Sequence, residues 1–175
     1  MGAAHAALRL AVLWGGLAIG GAALAACPQA AEQTARHMVD LFAAHRLSTM
    51  AAKGLLGPDG SAVQHGAYWE VRADACFAGI VLRARAEDES SDDAELRLRP
   101  EAGLVLGDLV KYLGPWQVVS SSKTSSVAFR GAGAAGSSMT VYALLFTPQP
   151  SPRSPVLLLQ LRRDGSASPA AQDRR

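Results

Sequence analysis

The sequence predicts an α+β domain with an N-terminal helix or helices, a mainly antiparallel sheet and a short inserted amphipathic helix near 106–113. Three observations lead there. Apolar residues between 30 and 56 recur at helical spacing, and from Ala67 onward they alternate with a period of two. Helical spacing then returns once, over Leu106, Leu109, Val110 and Leu113, and Gly114-Pro115 closes it.

Taken in chain order, Met38, Leu41, Phe42 and His45 follow the i, i+3, i+4, i+7 rule, and Leu47, Met50 and Leu55 continue an apolar side. Ala30 to Leu56 is therefore expected to be one helix or two short ones, ended by the turn Gly57-Pro58-Asp59-Gly60. Ala67, Trp69 and Val71 alternate with Tyr68, Glu70 and Arg72, as a half-buried strand requires. Cys76 to Arg85 reads as a second strand, with Ile80, Leu82 and Ala84 opposite Val81, Arg83 and Arg85. The acidic run Glu87 to Glu95 connects it to a third strand, Leu96 to Arg99, and the two strands are expected to pair antiparallel.

Asp108 in the first turn of the 106–113 helix suits the positive end of its dipole. Trp116–Ser121, Ser125–Arg130, Met139–Thr147 and Val156–Arg162 are further strand candidates. The glycine- and alanine-rich stretch Gly131 to Ser138 suits a hairpin connection, and a proline-rich turn (Pro148, Pro150, Pro152, Pro155) separates the last two strands. Residues 164–175 have no apolar face and are expected to be a disordered tail.

The chain of 175 residues supports one domain, and roughly 150 residues remain once an N-terminal segment is removed. Aromatic residues make up only 6%, so the core must rest on Leu, Val and a few rings. A net charge of +2 supplies no concentrated field, which argues against nucleic acid or an anionic membrane surface as an electrostatic partner. Arginines at alternate positions, such as Arg83, Arg85, Arg97 and Arg99, suggest a wetted sheet face.

At the start of the chain, Arg9 precedes an uncharged run from Leu10 to Ala26, the pattern of an export signal. Gly15, Gly16, Gly20 and Gly21 weaken the run as a permanent membrane helix, although a retained signal anchor is the alternative. The run ends in Leu24-Ala25-Ala26-Cys27, which resembles the lipobox of bacterial lipoproteins. That resemblance implies cleavage between Ala26 and Cys27, lipidation of Cys27 with several acyl chains, and a membrane-anchored protein of the cell envelope. It divides the chain into a signal peptide (1–26), one extracytoplasmic domain (27–163) and the tail (164–175). Pro28 departs from the usual residue after the cysteine, and no Asp follows Cys27. The alternative is ordinary signal cleavage, a secreted or periplasmic soluble domain and a Cys27–Cys76 disulfide. Under the lipid reading Cys76 stays a free, buried thiol.

Residues 103–115 resemble the short helix, Leu-Gly-Pro, strand unit of SmpA/OmlA and beta-lactamase-inhibitor-like envelope lipoprotein domains. The resemblance implies a binding or assembly module with an envelope protein partner, and not an enzyme.

The residues by themselves offer little chemistry. His37 and His45 lie eight apart, too far for a common helical metal pair, His5 belongs to the signal, and His65 falls in a glycine-rich turn. The acidic residues Glu87, Asp88, Glu89, Asp92, Asp93 and Glu95 lack the glycine and ligand order of a calcium loop. Ser120, Ser121, Ser122, Ser125 and Ser126 lack a nucleophile elbow, and Gly131, Gly133 and Gly136 fit neither a phosphate loop nor a dinucleotide fingerprint. No catalytic residue, metal site or cofactor is expected. An envelope hydrolase remains the competing class, should Asp108, the acidic run and the serines converge in space. Trp69, Trp116, Tyr68, Tyr112 and Tyr142 would form a binding platform if they faced out; the tryptophans are expected in the core.

Overall fold

The computed structural model describes residues 21–57, 60–72, 76–121, 123–130 and 138–163. Two helices, α1 (Gly21–Ala43) and α2 (Thr49–Leu56), precede four strands, β1 (Ala62–His65), β2 (Tyr68–Val71), β3 (Phe77–Arg83) and β4 (Asp93–Leu98). A 3-10 turn at Pro100–Ala102 and α3 (Leu106–Leu113) lead to β5 (Gln117–Ser121), β6 (Ser125–Arg130), β7 (Met139–Leu145) and β8 (Val156–Arg163). The expected α+β class is therefore the observed one.

All eight strands form one antiparallel sheet in the order β1-β2-β3-β4-β8-β7-β6-β5. Each half of the chain is a helical segment followed by a four-stranded meander, and the last strands of the two meanders, β4 and β8, meet in the centre. The α3 segment carries the chain from the middle of the sheet to its far edge, so β5 becomes an edge strand.

Cross-strand register separates the two faces. One row runs Val71, Ile80, Leu96, Leu159, Ala143, Val127 and Val118 across seven strands. A parallel row joins Trp69, Leu82, Ala94, Leu161, Val141 and Phe129. Most of these side chains are fully buried under the helices. The opposite face carries Glu70, Val81, Glu95, Gln160, Tyr142, Ala128 and Gln117 in register. Period-two alternation is thus the cause of the one-sided core, each fully buried Leu, Ile or Phe contributing about 1.5–3 kcal/mol before entropy.

On α1, Cys27, Ala31, Ala35, Met38 and Phe42 recur at helical spacing and are all buried, forming the stripe that lies on the sheet. The chain leaves α1 through His45, which has a left-handed φ of 57°. Ser48 then caps α2, its hydroxyl accepting a hydrogen bond from the Ala51 amide at 3.3 Å. On α3 the buried Leu106, Leu109 and Leu113 face the same core.

Several boundaries differ from the sequence expectation. The first helix extends N-terminal of Ala30, Gly21–Ala43 running unbroken through Cys27, while its separation from α2 is the two-helix form the sequence allowed. β1 was not expected, and His65 ends that strand where a turn was anticipated. β4 begins at Asp93, so the end of the acidic run is sheet and not connection. Asp93 and Glu95 lie on the wetted face, and alternate Ala94, Leu96 and Leu98 supply the burial that pulls them into the strand. Most of the expected signal segment, residues 131–137 of the expected hairpin connection, and all of the expected tail lie outside the described residues. Among the described residues, no helix is long and apolar enough to cross a membrane.

Candidate functional site

Cys27 is bonded to Cys76, joining the core face of α1 to the residue before β3, with 5.5 Å between the Cα atoms. A diacylglyceryl thioether requires the same Sγ, so a chain in this disulfide-bonded form carries no lipid at Cys27. Cys76 is correspondingly not the free thiol expected beside a lipidated Cys27. The spatial reason is the helical stripe: Cys27 lies one turn before Ala31, which turns its side chain toward the sheet, where it is 2% exposed.

The residues considered for catalysis or metal binding are dispersed into structural roles. Glu87 pairs with Lys53 of α2 at 2.9 Å, and the Arg85 amide donates to Glu89 at 2.6 Å. Asp92 pairs with Arg163 at 2.9 Å, and Glu95 with Arg97 at 3.2 Å. Asp93 is buried on the face turned away from the helices and accepts a hydrogen bond from Gln160. Burial lifts its carboxyl above the usual range, against the pull of Arg162 and Gln160. Among the described residues, no group of three or more His, Cys, Asp or Glu is placed to hold a metal ion.

Asp108 serves its own helix, its carboxylate accepting from the Val105 amide at 3.3 Å and from Lys111 at 2.8 Å. Ser121 and Ser125 donate to the carbonyls of Pro148 and Thr147, tying the β5–β6 hairpin to the chain after β7. His37 and His45 are exposed, and His65 lies 3.6 Å from Glu70. Among the described residues, Asp108, the acidic run and the serines Ser121 and Ser125 engage separate partners and are not brought together as the competing hydrolase reading would need.

Two residues that the sequence did not single out organise the β3–β4 end. The Ser91 hydroxyl donates toward the carbonyls of Arg83 and Asp93 and accepts from the Arg83 amide, while the Ser91 amide donates to Leu47. Arg163 donates to the Phe42 carbonyl at the end of α1, and its guanidinium lies 4.8 Å from the centre of the Phe42 ring. A cation at a helix C-terminus meets the negative end of the dipole, so Arg163 fastens helix, loop and sheet together.

An open groove of about 620 Å³ lies beside this end, with Arg83, Arg85, Glu89, Asp92 and Asp93 in its lining. Its carboxylates, Glu89, Asp92 and Asp93, are engaged by the contacts above. A smaller cavity of about 290 Å³ between α1 and α3 is bordered by Arg36, Asp40 and Tyr112. The Tyr112 hydroxyl is buried without a hydrogen-bond partner, and burial pushes its pKa strongly upward. Trp69 and Trp116 pack against the core, as expected, whereas Tyr68 and Tyr142 are half-buried on the wetted face.

The most distinctive surface is the β5 edge, exposed along its whole length. Val118, Val119 and, just beyond β7, Phe146 are the exposed large apolar residues of this half of the sheet. No family model, curated protein or solved structure matches the chain.

Proposed function

We propose that this chain is an exported domain that acts outside the cytoplasm as a binding or assembly module without a catalytic site. The Cys27–Cys76 disulfide carries the reading, because such a bond persists in an oxidising compartment and is rare in a reducing cytosol. The Arg9-led apolar run supports export. The exposed β5 strand supports a recognition role, since an open strand edge offers a recurrent binding mechanism.

Leu24-Ala25-Ala26-Cys27 favours a second reading, a lipid-anchored envelope form in which Cys27 is acylated and Cys76 is reduced. Intact mass measurement after alkylation without reductant separates the two in chain recovered from a bacterial host. The first reading expects an unlipidated chain that takes up alkylating reagent only after reduction. A diacylated or triacylated Cys27 together with an alkylated Cys76 overturns it in favour of the anchored form.

A further inference from the structure

Among the described residues, β1 and β5 are the open edges of the sheet, and they differ in chemistry. β1 has four residues, and its terminal His65 faces Glu70 of the neighbouring strand. β5 reads Gln117-Val118-Val119-Ser120-Ser121, with no charge and no proline, and every residue is exposed. Val118 and Val119 remain 50% and 56% exposed. Natural edge strands are commonly protected by charge, proline or a bulge, and β5 has only the irregularity between Val118 and Ser120.

Charge is partitioned along the same axis. Residues 109–163, which include all of β5 to β8, contain no Asp or Glu. Exposed Lys123 follows β5, and exposed Arg130 ends β6 two residues beyond the Gln117–Ala128 pair. The two cations therefore stand at opposite ends of the open edge. The acidic residues Glu87 to Glu95 belong to the β3–β4 half of the sheet.

Building on the binding-module reading, we infer that β5 is the docking edge for an extended acidic polypeptide that adds as a further strand. Main-chain hydrogen bonds would join the new strand to β5, valines would contact its alternate side chains, and Lys123 and Arg130 would receive its carboxylates. A second copy of this chain is the wrong occupant. Antiparallel pairing of β5 with β5 brings Lys123 of one copy toward the Arg130 end of the other, with no acidic residue of either β5–β8 half to compensate.

The test uses the disulfide-bonded chain and two fluorescent strand-length peptides, one alternating valine with glutamate and the other valine with lysine. Anisotropy should show binding of the glutamate peptide in preference to the lysine peptide, weakening with added salt. Lys123→Gln and Arg130→Gln should each weaken it about two- to five-fold. Val119→Pro should abolish binding while leaving the circular dichroism spectrum unchanged. Amide resonances of 117–121 should shift on titration into the wild-type chain, which tests the location even if that variant misfolds. Equal binding of the two peptides, shifts confined to 62–65, dimerisation through β5 in sedimentation, or no binding of either peptide overturns the inference. No binding by correctly oxidised chain rejects β5 docking alone; the exported, oxidised state stands or falls on the alkylation result.

Discussion

Opening the Cys27–Cys76 bond should weaken the fold substantially. The bond closes a chain segment with a sequence separation of 49 residues. In the chain-entropy model, a loop of that length loses about 14 cal/mol/K in the unfolded state, which corresponds to about 4 kcal/mol at 25 °C. Residual structure in the reduced unfolded chain lowers the effect, so the paired substitution Cys27→Ala and Cys76→Ala should cost about 2–4 kcal/mol. Using both substitutions avoids a stray thiol. Urea unfolding monitored by tryptophan fluorescence provides the assay, comparing oxidised wild type, reduced wild type and the double variant. The reduced and double-variant midpoints should fall together, well below that of the oxidised chain. Coincident midpoints for all three would refute the argument, because a bond constraining the unfolded ensemble must then be absent or without effect.

Three other expectations follow from packing and protonation. Gly79 has φ 150°, and a Cβ there would stand 2.8 Å from the Val71 carbonyl oxygen, so Gly79→Ala should cost about 1–3 kcal/mol in the same assay. Leu109→Ala, at a fully buried position of α3, should cost about 2–5 kcal/mol; a loss below about 1 kcal/mol would contradict the packing of α3 on the sheet. Asp93 has a raised folded pKa, so the native state holds its proton more tightly than the unfolded state and gains stability as pH falls through that pKa. Asp93→Asn should therefore compare most favourably with wild type at neutral pH and lose ground on acidification. A stability difference that stays flat from about pH 7 to pH 3 would refute the burial argument.

The sequence by itself determined the local periodicities. Leu106, Leu109 and Leu113 announce α3 because a helix places such positions on one face, and Ile80 and Leu82 announce β3 because a strand does so every second residue. It also showed that the histidines, serines and acidic run lack the spacing of familiar catalytic motifs. β1 was harder to see, since the four residues Ala62–His65 have one half-buried position followed by three exposed ones and owe their strand form to pairing with β2. The acidic stretch was misdivided for a related reason: its charges suggested a connection, but the wetted face of β4 accommodates Asp93 and Glu95 while the other face buries its apolar residues.

Only the tertiary structure decided which distant groups meet. Cys27 looks like the end of an export motif when read along the chain, whereas the stripe it shares with Ala31, Ala35 and Met38 turns it toward Cys76. Likewise, Gln117–Ser121 reads as an ordinary short strand until the passage through α3 sends it to the far side of the sheet. Local pattern specifies which face of an element is apolar, but strand order and edge exposure follow from how all the elements bury those faces together. The candidate docking edge is therefore a property of the topology, while the acid-free composition of 109–163 that gives it a charge preference was present in the sequence from the outset.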